Sequence, residues 1–304
     1  MNRRHFWGFV LLTAAMLLSG CSAEILDGHS GQVPIYLTAS VQEGGAQGVT
    51  RAGTDVQSTQ LPNGEEFYGY FPSGATVSSA TFTADGSGGT TANPQPYFTF
   101  SGTETTVHAY HGKSGGTDQV TNETTSFSVA TDQSDDEAYK ASDLMYATAT
   151  VTKSGLSATG ELQFSHKMAK IIVNVTSVTG EAITKITDVR IIGGSRTINV
   201  TNTTTCTLGS TLDDANSTSS YVTMYTGGTG KAAFTCAALI PPQTINGDFL
   251  LVKTDVGDIT CSLTNKTFAS GQSYTYSMAI SYDVTGELTA TLASPGAVNS
   301  STWQ

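Results

Sequence analysis

Val33, Ile35, Leu37, Ala39 and Val41 occupy alternate positions, with Tyr36, Thr38 and Ser40 between them. A period of two puts the apolar set on one side of an extended chain, so the pattern predicts a half-buried strand. The alternation then stops. Glu43-Gly44-Gly45-Ala46-Gln47-Gly48 has no periodicity and little to bury, and it predicts a loose connection running on through Val49-Thr50-Arg51-Ala52-Gly53. An isolated arginine among small residues in such a loop is an accessible protease target.

Further on, short apolar or aromatic runs are separated by turn residues. Strand candidates lie at 67–71, at 97–100 after Asn93-Pro94-Gln95-Pro96, and at 106–111, 127–130 and 144–151. Residues 132–139 hold the main acidic cluster and predict one helical turn or a loop. A second series begins near Leu162: 171–175, the most apolar of all, then 186–192, 197–200, 221–225, 232–240, 249–254, 259–263 and 274–282. Leu288, Ala290 and Leu292 form a last alternating group before Pro295. Many short strands with Gly-rich turns, and neither heptads nor tandem repeats, predict an all-β chain built of β-sandwiches. The length suits two sandwiches, 52–158 and 159–304, better than one.

The amino terminus reads differently. Arg3 and Arg4 precede an apolar run over 6–18 that ends in Leu18-Ser19-Gly20-Cys21. The run is too short to cross a bilayer and has the shape of a secretory signal. A cysteine directly after Ser-Gly makes residues 1–20 a bacterial lipoprotein signal with Cys21 as the acylated residue; the competing reading is an ordinary secretory signal with a chance cysteine. Each buried methylene contributes about 0.8 kcal/mol, so several palmitate-like chains hold a protein firmly on a membrane. Residues 21–51 then form a segment that carries both the lipid and the first strand.

Composition agrees with strands. Charged residues are only 13% of the chain, which leaves little material for solvated helices. The net charge of −11 disfavours nucleic acid as a partner. With Cys21 committed to lipid, Cys206, Cys236 and Cys261 remain; each alternates with apolar neighbours and reads as a small buried hydrophobe rather than half of a disulfide.

Motifs for chemistry are missing. Gly230-Lys231 and Gly112-Lys113-Ser114 lack the glycine five residues upstream that a phosphate loop needs, having Tyr225 and Val107 there. His108 and His111 are three apart on an extended segment and point to opposite faces. His166 reads as a structural hydrogen-bonding residue. Asp132, Asp135, Asp136 and Glu137 lack the alternate spacing of a calcium loop. Neither a Gly-x-Ser-x-Gly elbow nor a Cys-x-x-Cys pair occurs. The expectation is a protein without enzymatic activity, metal or cofactor.

Five stretches carry a resemblance: Phe67-Tyr68-Gly69-Tyr70-Phe71-Pro72, Asp143-Leu144-Met145-Tyr146-Ala147, Phe164-Ser165-His166-Lys167-Met168-Ala169-Lys170-Ile171, Leu239-Ile240-Pro241-Pro242-Gln243 and Phe268-Ala269-Ser270-Gly271-Gln272-Ser273-Tyr274-Thr275-Tyr276. In this order, with the lipobox and Thr50-Arg51-Ala52, they resemble the fimbrillin-like (Mfa-like) lipoproteins of Bacteroidales, subunits of type V pili. The resemblance implies two stacked sandwiches of transthyretin-like topology. It implies passage through the lipoprotein export machinery to the cell outer membrane and surface. It also implies cutting by an arginine-specific protease, with Arg51 the cleavage residue and Ala52 the new amino terminus. Donor-strand exchange with other pilin subunits, of the same or another kind, then builds the fimbria.

Simple physics leads the same way. A sheet stripped of one strand exposes unpaired backbone and an apolar groove, and such a slot binds an extended segment by strand addition. At about 1.5–3 kcal/mol per large aliphatic side chain, refilling the seat of Val33, Ile35, Leu37, Ala39 and Val41 is worth roughly 6–12 kcal/mol before ordering costs. The carboxy-terminal end offers a candidate donor in Leu288, Ala290 and Leu292, with Val298 and Trp303 beyond. Ser294-Pro295-Gly296 interrupts it, and proline cannot donate within a ladder. The donor is then short, or this end completes its own domain and the protein is a tip, anchor or accessory subunit. The acidic signal for surface export is thin, since only Glu24 and Asp27 follow Cys21 closely. A second expectation is a surface lipoprotein that does not polymerise and binds a glycan or protein through the aromatic patches 67–71 and 97–100.

Overall fold

The computed structural model describes residues 32–42, 59–177, 186–202, 207–212, 221–226, 233–254, 257–282, 288–293 and 300–302. Cys21, Arg51, Ala52, Cys206, Val298 and Trp303 lie outside the described residues. In chain order the elements are β1 (Ile35–Val41), β2 (Glu66–Tyr70), β3 (Ser79–Ala84), β4 (Thr90–Asn93), β5 (Glu104–His111), β6 (Lys113–Ser114), β7 (Asp118–Gln119), β8 (Ser126–Ser128), helix α1 (Asp136–Ala141), β9 (Met145–Thr152), β10 (Ala158–His166) and β11 (Ala169–Ser177). They continue with β12 (Ile186–Ile191), β13 (Thr197–Asn202), β14 (Thr207–Leu212), β15 (Val222–Thr226), β16 (Ala233–Ile240), β17 (Gln243–Thr254), β18 (Gly257–Phe268), β19 (Gln272–Tyr282), β20 (Leu288–Ala293) and β21 (Ser300–Thr302). The fold is all-β, as expected.

The first sheet has seven strands in the order β1-β10-β9-β5-β2-β3-β4. Its two ends meet, because Thr38 of β1 bridges Gly89 just before β4 and the Thr90 hydroxyl donates to the Leu37 carbonyl at 2.7 Å. The inner face of this curled sheet encloses one apolar cluster. It holds Ile35, Leu37, Phe67, Phe82, Phe98, Val107, Leu162 and Phe164, all nearly inaccessible. Phe67 stacks on Phe82 with centroids 5.2 Å apart and meets Phe164 edge-on at the same distance.

A second cluster lies between two further sheets. One runs β16-β11-β19-β20, with β21 also on β19; the other runs β15-β12-β17-β18. β11 is buried from Ala169 to Val173 without interruption. It is an interior strand, antiparallel to β16 and parallel to β19, which is why it is the most apolar run in the chain. Tyr110 and Tyr146, on the outer face of the first sheet, belong to this second cluster, and Tyr68 and Tyr70 pack against it. A small sheet, β14-β13-β8, ties an early segment to this half.

From Val33 onward the chain packs as one unit. Within it, β10 starts at Ala158, where the sequence placed a domain boundary, and still pairs with β1 and β9 of the first sheet. The hand-over between clusters falls later, between Phe164 and Met168. α1, six residues long, falls in the acidic stretch where one helical turn or a loop is expected, and the Asp135 carboxylate caps it by accepting from the Ala138 N–H at 2.9 Å. Asp132 accepts from the Ser134 N–H at 2.9 Å. Cys236 and Cys261 are buried, in agreement with their reading as small core residues, and the Cys236 thiol donates to the Val173 carbonyl at 3.8 Å.

Candidate functional site

β1 begins where the first strand was predicted and is parallel to β10, from Ile35 opposite Ala158 to Val41 opposite Phe164. On that side the Ala158 N–H donates to the Pro34 carbonyl at 3.2 Å and the Gln42 N–H to the Phe164 carbonyl at 2.9 Å. The other edge is occupied as well. The N–H groups of Ile35, Ala39 and Val41 donate to the carbonyls of Pro96, Gly88 and Thr59 at 2.9, 2.8 and 2.9 Å. Gln95 Nε2 donates to the Ile35 carbonyl at 2.8 Å, and the Phe98 N–H to the Val33 carbonyl at 2.9 Å. Although the chain reaches β1 first, it sits as an interior strand bonded along both edges.

Its side chains divide as the alternation requires. Val33, Ile35, Leu37, Ala39 and Val41 are 0–6% exposed and line the first cluster, while Tyr36 is 46% exposed on the outside. Leu37 lies over Gly160. A Cβ built there would come within 3.1 Å of Leu37 Cδ2 and 2.5 Å of Val151 Cγ2, so the absence of a side chain at 160 makes room for position 37. Seat and strand are matched in shape at that point.

At the carboxy-terminal end of β1 the described chain stops at Gln42 and resumes at Thr59, which is bonded back to Val41. The two ends of the connection that carries Arg51 and Ala52 are therefore neighbours at one end of β1. The candidate donor group lies elsewhere. β20 is antiparallel to β19, with Leu288, Ala290 and Leu292 opposite Tyr282, Ile280 and Met278. β21 pairs with the other half of β19, from Thr302 opposite Gln272 to Ser300 opposite Tyr274. Within one chain this segment forms an edge of the second sheet.

Two of the motif stretches meet at a buried polar junction between the clusters. Asp143 Oδ1 accepts from His166 Nδ1 at 2.9 Å, and both side chains are fully inaccessible. The Lys167 N–H donates to the Leu144 carbonyl at 2.8 Å, locking the same two stretches through the backbone. His111 Nδ1 is 2.8 Å from the Asp143 carbonyl and its Nε2 is 3.0 Å from Glu65 Oε1. Both partners are acceptors, so both ring nitrogens must donate and His111 is held as the imidazolium. Burial opposes charge on Glu65 and on His111. The hydrogen bond and attraction between them outweigh it, so the Glu65 carboxyl stays below its ordinary value and the His111 ring above its own.

A raised histidine stabilises the fold fully below its ordinary value and loses that contribution as pH climbs through the folded-state value; a lowered carboxyl contributes fully above its ordinary value. The His111–Glu65 pair is thus strongest between 4.5 and 6.5 and weakens above that window. Urea midpoints are expected to fall as pH rises from about 6 to about 9, and the fall is expected to flatten in Glu65→Gln.

Other sequence candidates resolve into packing. Phe67, Phe71 and Phe98 of the two aromatic patches are 0–2% exposed and belong to the core. Tyr68 donates its hydroxyl to Asn122 Oδ1 at 3.1 Å, and His108 Nδ1 lies 2.7 Å from the Tyr146 hydroxyl. Phe100 stands apart at 98% exposed. Among the described residues no group of His, Cys, Asp or Glu is placed to share a metal ion. The arrangement offers a shaped apolar seat with a two-sided backbone ladder, suited to holding an extended peptide.

A family model described as fimbrillin-like matches residues 46–294. No curated protein sequence matches the chain. Among solved structures, a candidate cell adhesion protein of Bacteroides ovatus aligns with a TM-score of 0.61 at 16% identity, over 90% of this chain and 98% of its own. One of Bacteroides uniformis aligns at 0.58 and 16% identity, over 91% and 100%. One of Bacteroides fragilis aligns at 0.51 and 14% identity, over 86% and 97%. At these identities the likeness is one of fold.

Proposed function

The chain belongs to the fimbrillin-like family, and from that premise we propose that it is a structural subunit of a cell-surface pilus whose assembly site is the seat of β1. In this reading the lipoprotein export machinery delivers it to the outer membrane, anchored through acylated Cys21. An arginine-specific protease then cuts between Arg51 and Ala52. Residues 21–51 leave with the lipid, and a strand from another pilin subunit takes the vacated place.

The observation that supports this reading is the way β1 is held. It fills an interior position, yet only the connection through residues 43–58 joins it to β2 and the strands beyond. One cut in that connection converts a covalently attached strand into a bound peptide. The slot left behind has carbonyl acceptors on Pro96, Gly88 and Thr59 along one side and the edge of β10 on the other. A head-to-tail contact through such a slot does not close on itself and yields a filament.

A second reading keeps the slot but makes the chain an accessory subunit that accepts a strand and donates none. It is favoured by β20 and β21, which complete the sheet of their own chain.

The test is cleavage followed by electrophoresis without boiling. Trypsin is expected to release residues 21–51, leave a resistant core starting at Ala52, and produce a ladder of detergent-stable oligomers; Arg51→Ala is expected to remain monomeric under the same treatment. A core that accepts an added strand peptide but forms no ladder assigns the accessory role. A core that stays monomeric and takes up no peptide overturns both readings.

A further inference from the structure

Two apolar side chains stand in water at the mouth of the slot. Phe100 is 98% exposed and Leu156 is 92% exposed. Phe100 follows by two residues Phe98, whose N–H donates to the Val33 carbonyl. Leu156 precedes by two residues Ala158, whose N–H donates to the Pro34 carbonyl. The loops that carry them are tied together, with the Lys153 N–H donating to the Thr103 carbonyl at 2.8 Å. Both side chains therefore flank the place where β1 comes into the sheet. Nothing about the core requires them there, since neither belongs to the buried clusters.

The polarity of the slot says what covers them. Its acceptors and its pairing edge are spaced for a strand parallel to β10; a strand of opposite sense needs a different bond pattern along both edges. An incoming strand that reproduces the bonds of β1 must start at the Val33 end and finish at the Val41 end. If that strand is the carboxy-terminal segment of another subunit, the body of that subunit precedes it and must sit at the mouth. Resting on the pilus reading above, we infer that Phe100 and Leu156 form a second docking surface for the body of a neighbouring copy of this chain, separate from the strand-binding slot. The strand supplies the ladder, and the apolar mouth fixes how the two bodies abut.

The experiment compares the trypsin-matured chain with its Phe100→Ser, Leu156→Ser variant, a change that adds no charge and touches no buried side chain. Binding of a synthetic peptide of residues 32–42 reports the slot; appearance of the detergent-stable ladder reports assembly. Peptide affinity is expected to be unchanged while ladder formation slows about tenfold or more, the effect of losing one to two large apolar contacts. A photo-crosslinker at position 100 is expected to capture a second copy. Normal peptide binding with an unchanged ladder, or no crosslink within the ladder, overturns the docking surface and leaves the slot intact. A wild-type matured chain that binds the peptide but forms no ladder assigns the accessory role and overturns the docking surface; one that neither binds the peptide nor forms a ladder defeats the pilus reading itself, and the docking surface with it.

Discussion

A chain that starts at Ala52 is expected to lose the cooperative melt of the intact protein, and to regain it when a peptide of residues 32–42 is supplied. The magnitude decides this. Val33, Ile35, Leu37 and Val41 are buried to within a few per cent. At about 1.5–3 kcal/mol each their removal forfeits roughly 6–12 kcal/mol, with the backbone ladder in addition. The whole stability of an ordinary domain is about 5–15 kcal/mol. The truncated chain is thus expected to melt broadly or to associate, as measured by calorimetry and size exclusion. Added peptide binds the folded form and stabilises it by about 2.7 kcal/mol at a hundredfold excess over its dissociation constant. A peptide carrying Leu37→Glu is expected to fail, because position 37 enters the apolar space above Gly160. A truncated chain that melts like the intact one, without peptide, would show that β1 contributes little.

β1 was legible because its apolar positions are large and strictly alternate. Its partner was not. Thr38 and Gly160 are 122 residues apart in sequence, and no local pattern announces a parallel pairing across that distance. β3 went unread since two of its inward positions are Ala80 and Ala84, which leaves Phe82 as the one strong apolar signal. β4, Thr90–Asn93, has no apolar alternation and is recognisable only from its pairing with β3. β17 and β18 run well past the apolar runs 249–254 and 259–263, because Ile245 and Phe268 are buried singly among polar neighbours and exposed cross-strand partners such as Thr244 and Thr267, 2.9 Å apart, continue the ladder between them. The boundary expected near residue 158 followed the spacing of strands. The structure keeps β10 with the first sheet, because Leu162 and Phe164 face the same cluster as Ile35 and Leu37.

The candidate site shows the same division between local and distant information. The slot's inner lining could be read from 33–41 alone. Its rim could not, because Gly88 and Pro96 lie in a turn-rich stretch and meet β1 through backbone carbonyls, and no pattern singles out the Gln95 side-chain amide that donates to the Ile35 carbonyl. Phe100 groups with an aromatic patch, and a period of two would put it on the same side as Phe98; the extended run ends before it, so Phe100 sits in a turn and is left exposed.

Asp143→Ala is expected to be the most damaging single substitution away from the slot. The Asp143 carboxylate and the His166 ring are both sealed from water and bonded to each other at 2.9 Å. Removing one partner of a buried pair strands the other in a medium that solvates it poorly, at a cost of about 3–5 kcal/mol. The position magnifies the effect. Asp143 also presents its carbonyl to His111, and the next residue, Leu144, receives the Lys167 N–H, so one loop joins three segments where the clusters meet. The pair was half legible: His166 reads as a structural hydrogen-bonding residue, but nothing in the sequence names a partner 23 positions upstream. Replacing both residues by apolar ones, Asp143→Leu with His166→Phe, is expected to recover part of the loss, since a well-packed apolar pair needs no solvation. Urea midpoints of the two singles and the double give the coupling. A single substitution costing less than about 1 kcal/mol would put this junction in the class of surface ion pairs and remove it as the rivet between the two clusters.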